Sequence, residues 1–188
     1  MPRFYLPDTP AVGQLLTLPD NVVRHLHVLR LKHDEEIVLF SGNGCAYPAR
    51  LLSLEKRRAE VEVLREEVSD NESPLDITLI QSVSSGERMD FTLQKSVELG
   101  VKTIQPVISE RCVVRLDGER AEKRVARWQE IVISACEQSG RNIVPQVLPL
   151  LPYAQALQQM PSEKTKLLMS LNRAQTLTQI QPSSDGLI

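Results

Sequence analysis

The stretch from Ile77 to Val101 narrows the possible folds more than any other part of the chain. It begins with an alternating segment, Ile77-Thr78-Leu79-Ile80-Gln81-Ser82-Val83, which predicts a strand. Polar Ser84 and Ser85 follow and are placed to cap a helix, with Glu87 and Asp90 near the positive end of its dipole. Met89, Leu93 and Val97 recur every four residues as a buried stripe, while Gln94, Lys95 and Glu98 fall on neighbouring faces. Gly100 is expected to end the helix in the left-handed conformation. Strand, polar turn, helix and glycine stop make the first half of a βαβ unit, so an α/β layer is expected here.

The 188 residues allow one large or two small domains. Hydrophobic residues at 41% and charged residues at 24% match a water-soluble globular composition. No apolar run approaches membrane-spanning length and MPRFYLPDTP lacks a signal-peptide core, so a cytoplasmic location without membrane association is expected. Cys45, Cys112 and Cys136 are widely spaced and form no CxxC, so they read as buried thiols rather than disulfides or metal ligands. The net charge of -2 argues against a global polyanion grip, but the charge is uneven. Residues 1–33 hold Arg3, Arg24, Arg30, Lys32 and all three histidines against Asp8 and Asp20. A local basic face near the N-terminus is therefore expected.

Residues 1–70 read as a small β-rich domain. Strands are expected at Arg3–Leu6, Gln14–Leu18, Glu36–Phe40, Cys45–Leu54 and Ala59–Leu64, with a glycine-rich turn at Ser41-Gly42-Asn43-Gly44. Pro19-Asp20 opens a helix with Val22, Leu26 and Leu29 along one side. A compact barrel with one inserted helix accommodates this order. His25 and His27 are two apart on different helix faces and are read as solvated or RNA-facing rather than metal-binding. Ser69-Asp70-Asn71-Glu72-Ser73-Pro74 has linker composition, and the second domain is taken as 71–188.

In that second segment Thr103–Ser109 is expected as a strand whose Pro106 suggests an edge or a bend. A long helix from Glu119 carries Val125, Trp128, Val132 and Ala135 inward and stops at Ser139-Gly140. Pro149, Pro152 and Pro161 bracket a short helix with Tyr153, Leu157 and Met160, and Lys166–Leu171 reads as a buried strand. Asp185-Gly186-Leu187-Ile188 resembles a turn into a strand barely begun, so the α/β domain is expected to be incomplete at its C-terminus.

Four blocks then carry a resemblance: PRFYL; HLHVLRLKHDEEIVLFSGNG; GERMDFTLQKSVELGV with ISERCVV; and RWQEIVISACEQSGRNIVP. Together they resemble the bacterial small-subunit ribosomal RNA methyltransferase E family, which methylates N3 of one uridine with S-adenosylmethionine. The resemblance implies an N-terminal PUA-like β-barrel that helps hold RNA and a C-terminal SPOUT-type α/β domain, knotted and Rossmann-like. That second domain binds S-adenosylmethionine and pairs into a homodimer, and the partner is ribosomal RNA or the small ribosomal subunit. No metal is implied. Family members continue into a GPEGG loop and an LRTET-type segment that form most of the cofactor pocket, and this sequence has neither. Leu171, Asn172 and Arg173 stand where they would border that pocket.

The chemistry constrains the candidates further. Uridine N3 is a weak imide acid, so its alkylation needs a proton acceptor, donors for the flanking carbonyl oxygens and an aligned methyl donor. Arg141 and Asn142, in the turn after Gly140, are suited to donate to the base or its phosphate; equally, Arg141 could satisfy helix-end carbonyls. Glu137 or Glu98 is a candidate proton acceptor, although Glu98 and Lys95 could simply form an ion pair. Arg111 is a second candidate for binding an anion, and Arg3, Arg24 and Arg30 are candidates for RNA backbone contact.

Three functions fit. The first is the methyltransferase, the second a non-catalytic RNA-binding or dimerisation module lacking the cofactor loops. The third, a Rossmann nucleotide-binding enzyme, is disfavoured because SSGER stands where GxGxxG would be needed.

Overall fold

Alternation at Ala59-Glu60-Val61-Glu62-Val63 sends three apolar side chains to one face, and in the computed structural model Ala59, Val61 and Val63 are buried while both glutamates turn outward. The structure describes residues 1–68, 71–112, 114, 116–170 and 176–180. They fall into two compact units that are not consecutive along the chain. The first comprises Met1–Glu72 and Cys136–Val144, the second Ser73–Ala135 and Pro145–Ile188.

The first unit contains β1 (Arg3–Tyr5), β2 (Leu15–Thr17), α1 (Asp20–Val28), β3 (Glu36–Phe40), β4 (Cys45–Leu54), β5 (Ala59–Val63) and β6 (Glu67–Val68). One mixed sheet orders the strands β1-β3-β4-β5-β2, with β6 added beside β4. Only β1 and β3 run parallel; the remaining pairs are antiparallel. The register of β4 on β5 shifts between Leu51 and Ser53, a bulge that bends the longest strand around the core. Phe4, Ile37, Leu39, Leu51 and Val61 fill that core together with Val22, Val23 and Leu26 of α1. Burying a side chain of this size stabilises the fold by about 1.5–3 kcal/mol. Leu29 does not join the stripe expected of it. It caps the end of α1 and is 43% exposed, and Val23 takes the inward position.

The second unit is a parallel α/β layer. β7 (Thr78–Ser82), α2 (Gly86–Glu98) and β8 (Thr103–Ile108) complete the βαβ unit, and Met89, Leu93 and Val97 are the buried stripe of α2. Gly100 ends the helix with φ +96°, and a Cβ there would lie 2.7 Å from the Ser73 Cβ. Ser85 occupies the N-cap position, but its hydroxyl makes no capping hydrogen bond. α3 (Gly118–Ser139) follows and buries Trp128, Val132 and Ala135. Then come β9 (Gln146–Val147), β10 (Leu151–Pro152) and α4 (Tyr153–Gln159), with a short 3-10 turn at Leu177–Gln179.

Two expectations are corrected here. Pro106 lies in the central strand, flanked by β7 on one side and by β9 and β10 on the other. β9 pairs with Thr103 and Ile104, while β10 pairs with Val107 and Ile108, so the two short strands leave a gap opposite Gln105 and Pro106. Ile104 O accepts from Leu148 N on that side, and backbone direction alternates, so the missing N–H of Pro106 also faces the gap. The Gln105 amide bridges it, donating to Pro106 O (2.9 Å) and Pro149 O (2.8 Å). The short helix expected between the prolines is α4, which buries Ala156 and leaves Tyr153 and Leu157 partly exposed. Second, residues 166–170 form no strand, and Leu168 and Met169 are exposed. β-forming side chains make a strand only where a neighbouring ladder accepts their backbone, and among the described residues the strands of this sheet are β7 to β10.

Candidate functional site

Gly140, with φ +83°, releases the chain from α3 into the turn at residues 141–144. The turn is anchored on both sides: Asn142 O accepts from Gly44 N (3.2 Å), and the buried Cys136 thiol donates to Ile143 O (3.7 Å). Val144 packs against the β3–β4 turn, where a Cβ on Gly42 would stand 3.6 Å from its methyl group. The glycines of that turn therefore allow a close backbone approach.

Arg141 and Asn142 are 3% and 2% exposed, and both side chains are engaged within the first unit. Arg141 is held by Glu72: its Nε lies 3.1 and 3.2 Å from the two carboxylate oxygens, and a terminal nitrogen lies 2.5 Å from Oε2. The Arg3 guanidinium donates to Asn142 Oδ1 and to Arg141 O (3.4 Å), with its centre 5.2 Å from the Phe40 ring. Burial lowers the pKa of Arg3, an effect opposed by Cys136 and Glu137. Two buried nitrogens, Arg3 Nε and Asn142 Nδ2, have no hydrogen-bond partner among the described residues.

Beside this network a cleft of about 330 Å³ is lined by Arg3, Phe4, His25, Leu29 and Glu137 among others. Glu137 accepts from Tyr5 N (3.1 Å), and His25 packs edge-on against Phe4 at 5.3 Å. Burial pushes the Glu137 carboxyl upward, against the Tyr5 hydrogen bond and the charges of His25 and Arg3. The first unit thus brings together Arg3, Glu137, Arg141 and Asn142, whose numbers lie far apart in the chain. Glu72 joins them although nothing in its linker-like surroundings singled it out.

The other candidates lie elsewhere. Glu98 belongs to the second unit and pairs with Lys95 at 2.8 Å. Arg111 is also in the second unit, exposed in the turn after β8. Near it Ser82 and Ser109 join the ends of β7 and β8 by a 2.8 Å hydroxyl contact, at the strand tips where parallel sheets meet ligands. Arg30 is exposed at the end of α1 with φ 57°. Arg24 lines a second cleft of the first unit, about 390 Å³, together with Lys56 and Arg57, which the sequence reading did not select. Leu171, Asn172 and Arg173 lie outside the described residues. Among the described residues no cluster of histidine, cysteine or carboxylate side chains could hold a metal ion, and no helix is long and apolar enough to cross a membrane.

Comparison with known proteins agrees with this architecture. A family model described as an RNA methyltransferase domain matches residues 71–186, and an RNA methyltransferase PUA domain matches residues 18–64. The crystal structure of a ribosomal RNA small subunit methyltransferase E from Neisseria gonorrhoeae, bound to S-adenosyl methionine, is 69% identical. It superposes with a TM-score of 0.94 over 100% of this chain and 78% of its own. A putative methyltransferase from Legionella pneumophila, in complex with the same cofactor, is 36% identical with a TM-score of 0.87, over 95% of this chain and 74% of its own. The ribosomal RNA small subunit methyltransferase E of Buchnera aphidicola (subsp. Acyrthosiphon pisum) is 34% identical over 148 residues, 78% of this chain. The chain spans only 58% of that relative's length. A domain model that covers most of the chain and a relative sharing more than two thirds of its residues lead to one assignment: the chain belongs to the ribosomal RNA small subunit methyltransferase E family.

Proposed function

We propose that this chain is part of an enzyme that moves a methyl group from S-adenosylmethionine to N3 of a uridine in small-subunit ribosomal RNA. The observation that carries the proposal is the 69% identity, over the whole chain, with a protein solved with that cofactor. In this reading residues 1–70 hold RNA and residues 71–188 belong to the methyltransferase domain, which pairs into a homodimer in the cytoplasm. When bound, the cofactor supplies an electrophilic methyl group on sulfur. N3 gives up its proton and forms the new N–C bond as the S–C bond breaks, leaving S-adenosylhomocysteine.

Leu171, Asn172 and Arg173 are proposed to border the cofactor. The clefts described in the second unit, about 180 Å³ beside Gln105 and Met160 and about 30 Å³ beside Ser84 and Trp128, are smaller than the usual 300–1,000 Å³ of a ligand pocket. No step is therefore assigned to those walls. Of the two carboxylates, Glu137 is the better candidate proton acceptor: it lines a cleft and burial raises its pKa, whereas Glu98 is paired with Lys95. Arg141 is held by Glu72 and Asn142 by Arg3, which also faces Glu137, and the exposed Arg111 is placed to meet a phosphate near the strand tips.

The test is to incubate the protein with S-adenosylmethionine labelled in the methyl group and assembled small subunits, then digest the RNA to nucleosides. Label in N3-methyluridine is expected. Label in another nucleoside would overturn the choice of N3, and no label in RNA would overturn the activity.

A further inference from the structure

We infer that the cleft between the start of α1 and the β4–β5 hairpin is a phosphate grip for the backbone of single-stranded RNA, with Arg24, Lys56 and Arg57 as its donors. The inference rests on the reading that this chain acts on RNA and locates where the first unit holds it.

The sequence offers three adjacent cations, Lys56-Arg57-Arg58, and the structure sorts them. Glu55 N donates to Arg58 O at 2.7 Å, which pairs the two ends of the β4–β5 loop and leaves Lys56 and Arg57 at its tip. Arg58 folds back onto Glu60 at 2.8 Å and is taken up by that pair. Lys56 and Arg57 are exposed and, like Arg24, make no ion pair or hydrogen bond among the described residues. All three line one cleft of about 390 Å³, shared among the described residues with a single acid, Asp20, and with the buried Val23.

The two walls are tied together before any ligand arrives. His27 of α1 contacts the Glu55 carbonyl of the hairpin through Nε2 at 2.9 Å; since a carbonyl only accepts, Nε2 carries the proton. The cations are therefore presented from a braced frame, which lowers the ordering cost of binding. Three positive charges converging without partners among the described residues suit a polyanion, and no aromatic side chain among those residues lines the cleft for a base to stack on. It would therefore hold the phosphodiester chain and leave the choice of base to another site. Arg3, also a candidate for backbone contact, is engaged with Asn142 and Phe40.

The experiment measures binding of a fluorescent oligouridylate over a range of salt concentrations. It compares the unaltered protein, the K56Q/R57Q variant and a charge-matched control, R120Q/K123Q, on the exposed face of α3. Each cation removed from a phosphate contact lowers the salt slope by about 0.7 on single strands, so the cleft variant should lose about 1.4 from its slope while the control keeps the original value. An unchanged slope in the cleft variant, with RNA binding intact, would overturn the grip and leave the methylation reading standing. Failure of the unaltered protein to bind the oligonucleotide would also overturn it. Absence of methyl transfer in the assay described above, with the slope difference observed, would overturn only the catalytic reading.

Discussion

Glu72 grips the Arg141 guanidinium across 69 positions of sequence, with side chains 13% and 4% exposed and a closest approach of 2.5 Å. A buried pair of this kind adds little over an apolar substitute, but removing the carboxylate takes away a charge that faces a buried guanidinium. Glu72→Ala should therefore destabilise the chain in urea unfolding by more than a surface substitution does, while the double variant E72A/R141M should recover part of that loss. A single variant indistinguishable from the parent would show that water already compensates Arg141.

Glu137 predicts a pH dependence with a definite sign. Its folded pKa is raised chiefly by burial, so the folded state holds the proton more tightly than the unfolded state. Stability must then fall as pH rises through the window from the ordinary carboxylate value to the raised one, and level off above it. Glu137→Gln removes this term while keeping an oxygen to accept from Tyr5 N. The melting temperature of the variant relative to the parent should climb through that window and plateau above it. A difference that does not change with pH contradicts the assignment. If Glu137 is also the proton acceptor, the same substitution should slow methyl transfer by about 10²–10⁴-fold at neutral pH.

Cysteine reactivity should separate the thiols. Cys136 is fully buried and its pKa is pushed up to about 12, chiefly by desolvation, whereas Cys45 and Cys112 are only half-buried. A maleimide followed by peptide mass spectrometry should leave Cys136 unmodified in the native protein and label it after denaturation. Native labelling of Cys136 at a rate comparable with Cys45 would mean that the turn at 141–144 opens readily.

The gap in the parallel sheet makes an unequal pair of substitutions. Pro106→Val restores an N–H on the side where no strand runs and should change stability by less than about 1 kcal/mol. Gln105→Leu removes both hydrogen bonds that bridge the gap, and at about 1 kcal/mol for each should cost about 2 kcal/mol. The reverse order in denaturant titrations would show that the proline ring, and not the amide, holds β8 in place.

Local pattern carried the reading furthest where the answer lies within one turn or one strand. Glu36–Phe40 and Cys45–Leu54 occur as strands at the boundaries their alternation suggests, and Met89, Leu93 and Val97 face inward from α2 as their spacing requires. Pro106 was misread because its tolerance depends on where two other short strands end, and the run at 166–170 because a strand needs a neighbour that sequence does not display. At the site, the residue types Arg3, Glu137, Arg141 and Asn142 were legible, but their engagement was not. Arg3 meets Asn142 across 139 positions, and Glu72 sits in a run with the composition of a linker. Likewise Arg58 looked no different from Arg57 until its pairing with Glu60 left Lys56 and Arg57 as the free charges.

The first unit's division into Met1–Glu72 and Cys136–Val144 has a consequence for how the chain is made. Synthesis proceeds from the N-terminus, so the sheet around α1 emerges while the turn bearing Arg141 and Asn142 has yet to be translated. During that interval Glu72 and Arg3 lack the partners that later engage them. Closure must wait for the intervening stretch Ser73–Ala135, and it brings the entropy cost of closing so long a loop. The nascent sheet is therefore completed late, by a segment that reaches it only after most of this chain has left the ribosome.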